Sequence, residues 1–142
     1  METEISPYIR QVFYYETDRM GIVHHSNYIR WMEEARLDFM QKTGTSYEAM
    51  EQEGIIMPVV DVSCRYLVSA KYGDRVRIVA KLTAFTGVRA AFSYQIYLED
   101  GQLAATGESS HCFLENESRR PVSLKRRAPE FYARTLALLE EK

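Results

Sequence analysis

Cysteines and long apolar runs are scarce in this sequence, and each shortage excludes a class of protein. The 142 residues include two cysteines, Cys64 and Cys112, which form no CxxC pattern. Two isolated cysteines support neither a disulfide framework nor a cysteine-based metal cluster, so we expect reduced, buried thiols. No apolar run approaches the roughly 18 residues of a membrane-spanning helix, so the sequence predicts no membrane span.

An excess of positive charge is also missing. The sequence has 18 lysines and arginines and 20 acidic residues, which gives a net charge of −2. This balance excludes a globally basic nucleic-acid binder, and we predict no nucleic-acid partner. The first four residues include two glutamates and lack the basic and apolar regions of a secretion signal. We therefore predict a cytoplasmic protein.

Histidine and cysteine do not occur at metal-binding spacings. His24, His25, His111 and Cys112 are residue types that bind zinc, but there is no HxxxH or CxxC pattern. Neighbouring residues of an extended chain also point in different directions, which argues against a His111–Cys112 catalytic pair. The sequence therefore predicts neither a metal site nor a cofactor.

What is present is an ordinary globular composition in one uninterrupted chain. Hydrophobic residues make up 46% and charged residues 27% of the sequence. There is no internal linker, repeat or low-complexity stretch. The length and composition predict a single domain over residues 1–142.

The first half of the chain predicts a strand, a loop and two helices. Ile9–Tyr15 is rich in β-branched and aromatic residues and is typical of a strand, and residues 16–25 form a loop. Ser26 or Asn27 could cap a helix that ends near Gly44. A capping box over residues 45–48 begins a short second helix, which ends at Gly54. The apolar positions of the long helix are Tyr28, Ile29, Trp31, Met32, Ala35, Phe39 and Met40.

The second half predicts antiparallel strands and a C-terminal helix. The strands are Ile55–Ser69 with a bend near Pro58, Arg75–Thr86, Arg89–Glu99 and Gln102–Leu114. Asp100-Gly101 is a hairpin signal, and Pro129 begins the helix. Short connections indicate antiparallel neighbours, so the fold class is α+β: a curved antiparallel sheet wrapped around one long central helix.

The segment from Tyr14 to Tyr28 carries a recognisable pattern. It reads D-x-x-G-x-V-x-H-x-N/S-Y, followed on the helix by E-x-A-R. The residues are Asp18, Gly21, Val23, His25, Asn27, Tyr28, Glu33, Ala35 and Arg36. In residue type and spacing this resembles the signature of the 4-hydroxybenzoyl-CoA thioesterase-like family, in particular the YbgC-type acyl-CoA thioesterases.

The resemblance implies a fold, an assembly and an activity. The fold is the hot-dog fold, which forms a homodimer through a shared sheet and often pairs again into a homotetramer. The active site is expected at the dimer interface. The implied activity is hydrolysis of an acyl-CoA, or of the thioester of an acyl carrier protein.

The resemblance also assigns roles to individual residues. Asp18 matches the catalytic carboxylate, which attacks the thioester directly or activates water as a general base. The backbone N–H of His25 would polarise the thioester carbonyl, because the first amides of a helix are unpaired and lie at the positive end of its dipole. The residues expected around the substrate are Gly21, Val23, His24, Asn27 and Tyr28. His24 departs from the tyrosine or phenylalanine of many relatives.

Basic residues far from this segment could hold the phosphates of CoA. Arg89 stands near a position where relatives often have serine or threonine, and Arg119 and Arg120 belong to a basic cluster before the last helix. Guanidinium groups bind phosphates well. The alternative is that all three are solvated surface residues.

Two other functions remain open from the sequence. A hot-dog hydratase or dehydratase acting on hydroxyacyl thioesters would use histidines such as His24 and His25. A non-catalytic acyl-CoA-binding protein would bind the same ligand without turnover. The spacing from Asp18 to Asn27 favours the hydrolase.

Overall fold

The longest helix lies against one face of a five-stranded antiparallel sheet. The computed structural model describes residues 6–140, so the acidic N-terminal residues discussed above lie outside the described part, as do residues 141 and 142. The elements are β1 (Tyr8–Gln11), a 3-10 turn (Tyr14–Glu16), α1 (Ser26–Lys42), α2 (Tyr47–Gln52), β2 (Ile55–Ile56), β3 (Val59–Tyr66), β4 (Arg75–Phe85), β5 (Arg89–Leu98), β6 (Leu103–Cys112), β7 (Leu114–Glu115), α3 (Leu124–Arg127) and α4 (Pro129–Glu140).

The sheet order is β1-β4-β5-β6-β3, and β2 pairs separately with β7. Every pairing is antiparallel. Helix α1 contacts β1, β3, β4 and β6. The predicted α+β class and the hot-dog arrangement are thus confirmed. Within the described residues, no helix is both long and apolar enough to cross a membrane.

Helix α1 is buried along most of its predicted apolar face. Trp31, Met32, Phe39 and Met40 are all buried, which confirms that they belong to the core. Ile29 is exposed, so its assignment to the apolar stripe was wrong. The helix approaches the sheet closely at Gly107 of β6, where an added Cβ would collide with Met32 Sδ.

Strand alternation and turn chemistry were predicted well. In β4, Val76, Ile78 and Leu82 are buried, whereas Arg75 and Lys81 are exposed. The hairpin predicted at Asp100-Gly101 forms: the N–H of Leu98 donates to the carbonyl of Gln102 at 2.8 Å, and Gly101 has φ 94°.

Five element predictions need correction, and the last predicted strand is one of them: it ends at Cys112, and Leu114 belongs to the separate strand β7. The first strand ends at Gln11, and a 3-10 turn replaces its second half. The stretch from Ile55 to Ser69 breaks at Pro58 into β2 and β3. Helix α2 is capped by Ser46, whose side chain accepts from the N–H of Ala49, and not by Thr45. Helix α3 was not predicted.

A buried polar chain joins α1 to β5 and β6. Arg36 donates to the Tyr94 hydroxyl at 3.2 Å, the Tyr94 and Ser109 hydroxyls are 2.6 Å apart, and Ser109 Oγ lies 2.8 Å from His111 Nε2. Burial, together with the positive charge of Arg36, lowers the pKa of His111 to about 4. His111 is therefore neutral in the core at neutral pH.

This lowered pKa predicts that the protein loses stability in mild acid. The unfolded chain takes up a proton on His111 near pH 6.5, whereas the folded protein resists protonation down to about pH 4. The unfolded state binds more protons between these values. His111 therefore removes up to about 3 kcal/mol from the free energy of unfolding as the pH falls through this window.

Urea unfolding of wild type and His111→Gln, each at about pH 7 and about pH 4.5, measures this effect. We expect His111→Gln to be less stable than wild type at neutral pH but to lose less stability on acidification. Equal losses in the two proteins would show that His111 does not control the acid response.

Candidate active site

A cleft of about 260 Å³ opens where the Asp18 loop, the start of α1 and the chain after β3 meet. Its lining residues are Asp18, Ile22, Val23, His24, His25, Tyr28, Tyr66, Leu67, Val68 and Ser69. Five residues that were assigned to the site from the sequence therefore lie around one cleft. Gly21 and Asn27 support the same loop without lining the cleft.

The Asp18 loop is a tight turn whose own hydrogen bonds fix the carboxylate. The N–H of Asp18 donates to the carbonyl of Ile22 at 2.9 Å, and the N–H of Gly21 donates to the carbonyl of Asp18 at 3.1 Å. Gly21 has φ 81°, a left-handed conformation that favours glycine. Asp18 Oδ1 accepts from the N–H of Met20 at 2.8 Å. Among the described residues Oδ2 has no hydrogen-bond partner, so one oxygen of the half-buried carboxylate remains for chemistry.

The start of α1 is capped by His24, and neither Ser26 nor Asn27 is the cap. The N–H of Ser26 donates to His24 Nδ1 at 3.2 Å, and the Ser26 hydroxyl lies 2.9 Å from the same atom. The helix begins at Ser26 with His25 already in a helical conformation, φ −57° and ψ −28°. An imidazole nitrogen that accepts this bond must be unprotonated. His24 thus has a local structural role in addition to lining the cleft.

The backbone N–H of His25 remains unpaired within the described part of the chain. The amides on either side are taken: that of His24 donates to the carbonyl of Glu16, and that of Ser26 to the His24 ring. An unpaired amide at a helix N-terminus favours negative charge. The exposed His25 imidazole stacks on His24 with 4.3 Å between ring centroids.

Tyr28 and Tyr66 join the helix start to the opposite wall of the cleft. The N–H of Ala70 donates to the buried Tyr28 hydroxyl at 3.0 Å, and the N–H of Val23 donates to the carbonyl of Ala70 at 2.9 Å. The Tyr66 hydroxyl donates to the carbonyl of His25 at 3.2 Å. Burial and the neighbouring Cys64 raise the pKa of Tyr66 to about 12, so the phenol keeps its proton.

Sequence reasoning missed the wall formed by residues 66–69 and the buried Glu16. The wall lies 48 to 51 positions beyond Asp18, and the pairing of β3 with β6 brings it to the cleft. Glu16 lies two residues before Asp18, and its carbonyl accepts from the Asn27 side chain at 3.0 Å. An acidic residue directly after an aromatic strand-like run was the one available signal for Glu16.

The structure does not bring the predicted phosphate-binding residues to this cleft within one chain. Arg89 begins β5 beside Cys112, and the turn containing Arg119 and Arg120 follows β7. The cleft lies at the opposite end of the sheet, where β5 ends and β4 begins. Because β5 has ten residues, the two ends are about 30 Å apart.

Chemically, the cleft combines a carboxylate with an oxyanion-binding position. Asp18 offers a free carboxylate oxygen, and the amide of His25 offers an N–H at a helix N-terminus. Consider a substrate carbonyl whose carbon lies near the Asp18 oxygen and whose oxygen lies near the N–H of His25. Its carbon would be positioned for attack, and the N–H would stabilise the negative charge that develops on its oxygen.

The chain is similar to known thioesterases along most of its length. Residues 12–135 match the model of the thioesterase-like superfamily. YneP of Bacillus subtilis, a candidate acyl-CoA thioesterase, is 34% identical over 122 residues, which are 86% of this chain and 88% of that protein. The acyl-CoA thioester hydrolase YbgC of Escherichia coli is 25% identical over 108 residues, which are 76% and 81% of the two chains.

A solved structure agrees over almost the whole chain. The crystal structure of a DHNA-CoA thioesterase from Staphylococcus aureus superposes with a TM-score of 0.87 at 36% sequence identity. The match covers 96% of this chain and 93% of that one. The resemblance to YbgC-type thioesterases inferred from Tyr14 to Arg36 is thereby confirmed.

Proposed function

Because the chain belongs to the thioesterase-like superfamily and is a thioester hydrolase, we propose that it hydrolyses acyl-CoA to a free acid and CoA in the cleft at Asp18. The proposal rests on one observation: Asp18, which has a free carboxylate oxygen, and His25, whose N–H is unpaired, line the same cleft. Asp18 and that amide are the proposed catalytic groups, and the remaining cleft residues hold the substrate.

The reaction can follow either of two routes through Asp18. In the nucleophilic route the carboxylate adds to the thioester carbon, the C–S bond breaks, CoA leaves as a thiolate, and water cleaves the resulting anhydride. In the general-base route Asp18 takes a proton from water, which attacks the same carbon; the C–S bond then breaks, and the departing CoA thiolate takes up that proton. In both routes the carbonyl oxygen becomes negative, and the N–H of His25 stabilises it.

The cleft favours a compact acyl group. Within one chain its volume of about 260 Å³ is near the lower end of the roughly 300–1,000 Å³ typical of small-molecule sites. Four of its walls are aromatic rings: His24, His25, Tyr28 and Tyr66. The Staphylococcus aureus protein of known structure is named a DHNA-CoA thioesterase. We therefore propose a short or aromatic acyl-CoA as the substrate.

An exposed strand at the edge of the sheet supports the proposed homodimer. Among the residues that the structure describes, strand β3 pairs with β6 on one side only. Val59, Val60 and Val62 are 49%, 48% and 40% exposed. An open edge rich in β-branched side chains is suited to pairing with a second copy of itself. The dimer through β3, its further pairing into tetramers and the cytoplasmic location are proposals.

Such a dimer would bring the distant arginines to the cleft of the other subunit. A two-fold axis near the middle of β3 sets the end of one strand, Tyr66, against the beginning of the partner's strand. The beginning of β3 pairs with the end of β6, next to Arg89 and the turn with Arg119 and Arg120. Arg119 of the partner subunit and its neighbours would then hold the CoA phosphates at the mouth of the cleft, while the pantetheine arm reaches from them to Asp18.

Free-thiol release from a panel of short, long and aromatic acyl-CoA thioesters tests the function. We expect the fastest release from the compact or aromatic group. Hydration of crotonyl-CoA without thiol release would indicate the hydratase alternative. Tight acyl-CoA binding with neither reaction would indicate a non-catalytic binding protein.

Mixing two defective variants tests the shared site. Asp18→Asn lacks the carboxylate, and Arg119→Glu with Arg120→Glu should raise the KM for acyl-CoA about 10–100-fold, because two phosphate contacts become repulsive. After subunit exchange, half of the dimers are mixed, and each mixed dimer contains one site with neither change. About a quarter of wild-type activity should therefore return.

The matched control is Arg77→Glu with Lys81→Glu, the same change of charge on exposed positions within β4. Its KM should stay near the wild-type value. If mixing restores nothing beyond the sum of the two homodimers, the arginines do not act across the interface.

A further inference from the structure

The carboxylate of Glu16 is buried at the junction of three elements. Its side chain is only 4% exposed. Arg10 Nη1 lies 2.8 Å from both Glu16 oxygens, the N–H of Phe13 donates to Oε1 at 2.9 Å, and Trp31 Nε1 donates to Oε2 at 3.1 Å. The donors come from β1, from the residue before the 3-10 turn and from α1. One carboxylate thus links the strand, the turn and the helix.

These contacts are strong because the site is largely closed to water. A buried carboxylate must keep its donors, since losing one leaves charge without compensation. Arg10 is itself held, with Nε 3.1 Å from Glu34 Oε1 and its guanidinium 5.2 Å from the ring centroid of Trp31. Movement of α1 relative to β1 would break several of these contacts at once.

The backbone carbonyl of Glu16 holds the other end of the Asp18 loop. It accepts from the N–H of His24 at 2.9 Å and from Asn27 Nδ2 at 3.0 Å. The loop therefore leaves Glu16, passes through Asp18 and returns to the same residue just before His25. The bond to His24 also occupies the amide that precedes the unpaired amide of His25.

We propose that Glu16 is a positioning residue: its buried carboxylate and its carbonyl together fix the Asp18 carboxylate and the His25 amide relative to each other. The proposal rests on the function proposed above. Glu16 does not line the cleft and touches no substrate. It would act by keeping the catalytic groups in position, since displacing such a group by about 1 Å can lower the rate roughly 100-fold.

Glu16→Gln tests this role with the least change of volume. The amide has one oxygen where the carboxylate has two, so it cannot accept from Arg10, Phe13 and Trp31 in the same way. We expect kcat to fall about 10–100-fold, while KM changes less than about threefold, because the cleft walls are unaltered. Trp31→Phe removes only one of the donors to Glu16 and keeps an aromatic ring in the core. We expect it to lower kcat less than Glu16→Gln does.

Ser109→Ala is the matched control for lost stability. It also removes a buried polar group, one bonded to Tyr94 and His111, but far from the Asp18 loop. We expect a lower Tm with an unchanged kcat. Thermal unfolding and steady-state thiol release on the same preparations separate the two effects.

The inference fails if Glu16→Gln and Trp31→Phe lower Tm yet keep the wild-type kcat below their transitions. It also fails if Ser109→Ala reduces kcat as much as Glu16→Gln does. Failure of the proposed function looks different: in that case wild type releases no thiol from acyl-CoA, or Asp18→Asn is as active as wild type.

Discussion

Replacing His25 with proline should lower kcat by about 100–1,000-fold while α1 stays folded, because the change deletes one N–H at the oxyanion position. Proline suits this position in the helix. The φ of His25 is −57°, close to the fixed value of proline, and its N–H has no protein acceptor in the described part of the chain. The carbonyl that accepts from Tyr66 is retained.

The companion variant His25→Ala separates the amide from the imidazole. It removes the ring that stacks on His24 but keeps the backbone donor. We expect its kcat to stay within about tenfold of wild type, since exposed ring contacts contribute little. Circular dichroism checks that both variants keep their helices. Equal losses of kcat in the two variants would assign catalysis to the imidazole.

The loop and helix start were predictable because their signals are local. Asp18, Gly21 and His25 lie within eight residues, and their order alone sets a turn that leads into a helix. The actual cap was not predictable. Ser26 and Asn27 have better capping chemistry than histidine, yet the chain reaches the helix with His24 positioned to accept from Ser26.

Contacts between residues far apart in the chain could not be predicted from the sequence, for a different reason. The wall from Tyr66 to Ser69 reaches the cleft only through the register of β3 on β6. Glu16 was hidden because its partners Arg10 and Trp31 lie six residues before and 15 residues after it, on different elements. Chain separation conceals such contacts, although each residue type was visible. The alternation of β4, by contrast, needed no partner to be predicted.

Asp18→Asn should abolish measurable turnover, with kcat at least about 1,000-fold below wild type. Both routes through Asp18 need a carboxylate: a neutral amide is neither an effective nucleophile towards a thioester nor a base near neutral pH. No other carboxylate lines the cleft, so nothing described can replace it.

The fold should tolerate this substitution. Asn keeps an oxygen at Oδ1, so the bond from the N–H of Met20, which closes the turn, can persist. The backbone bonds from Asp18 to Ile22 and from Gly21 to Asp18 do not involve the side chain. We therefore expect a Tm within a few degrees of wild type, since a surface substitution of this kind changes stability by about 0.5 kcal/mol.

The most direct test of the account is one experiment with Asp18→Asn and a single acyl-CoA that wild type hydrolyses. Calorimetry measures binding of the intact thioester, and a thiol-detecting dye follows its cleavage in the same sample. The account predicts binding with a Kd near the wild-type KM and no release of CoA above the uncatalysed rate. Release at the wild-type rate would contradict it, because the reaction would then proceed without Asp18.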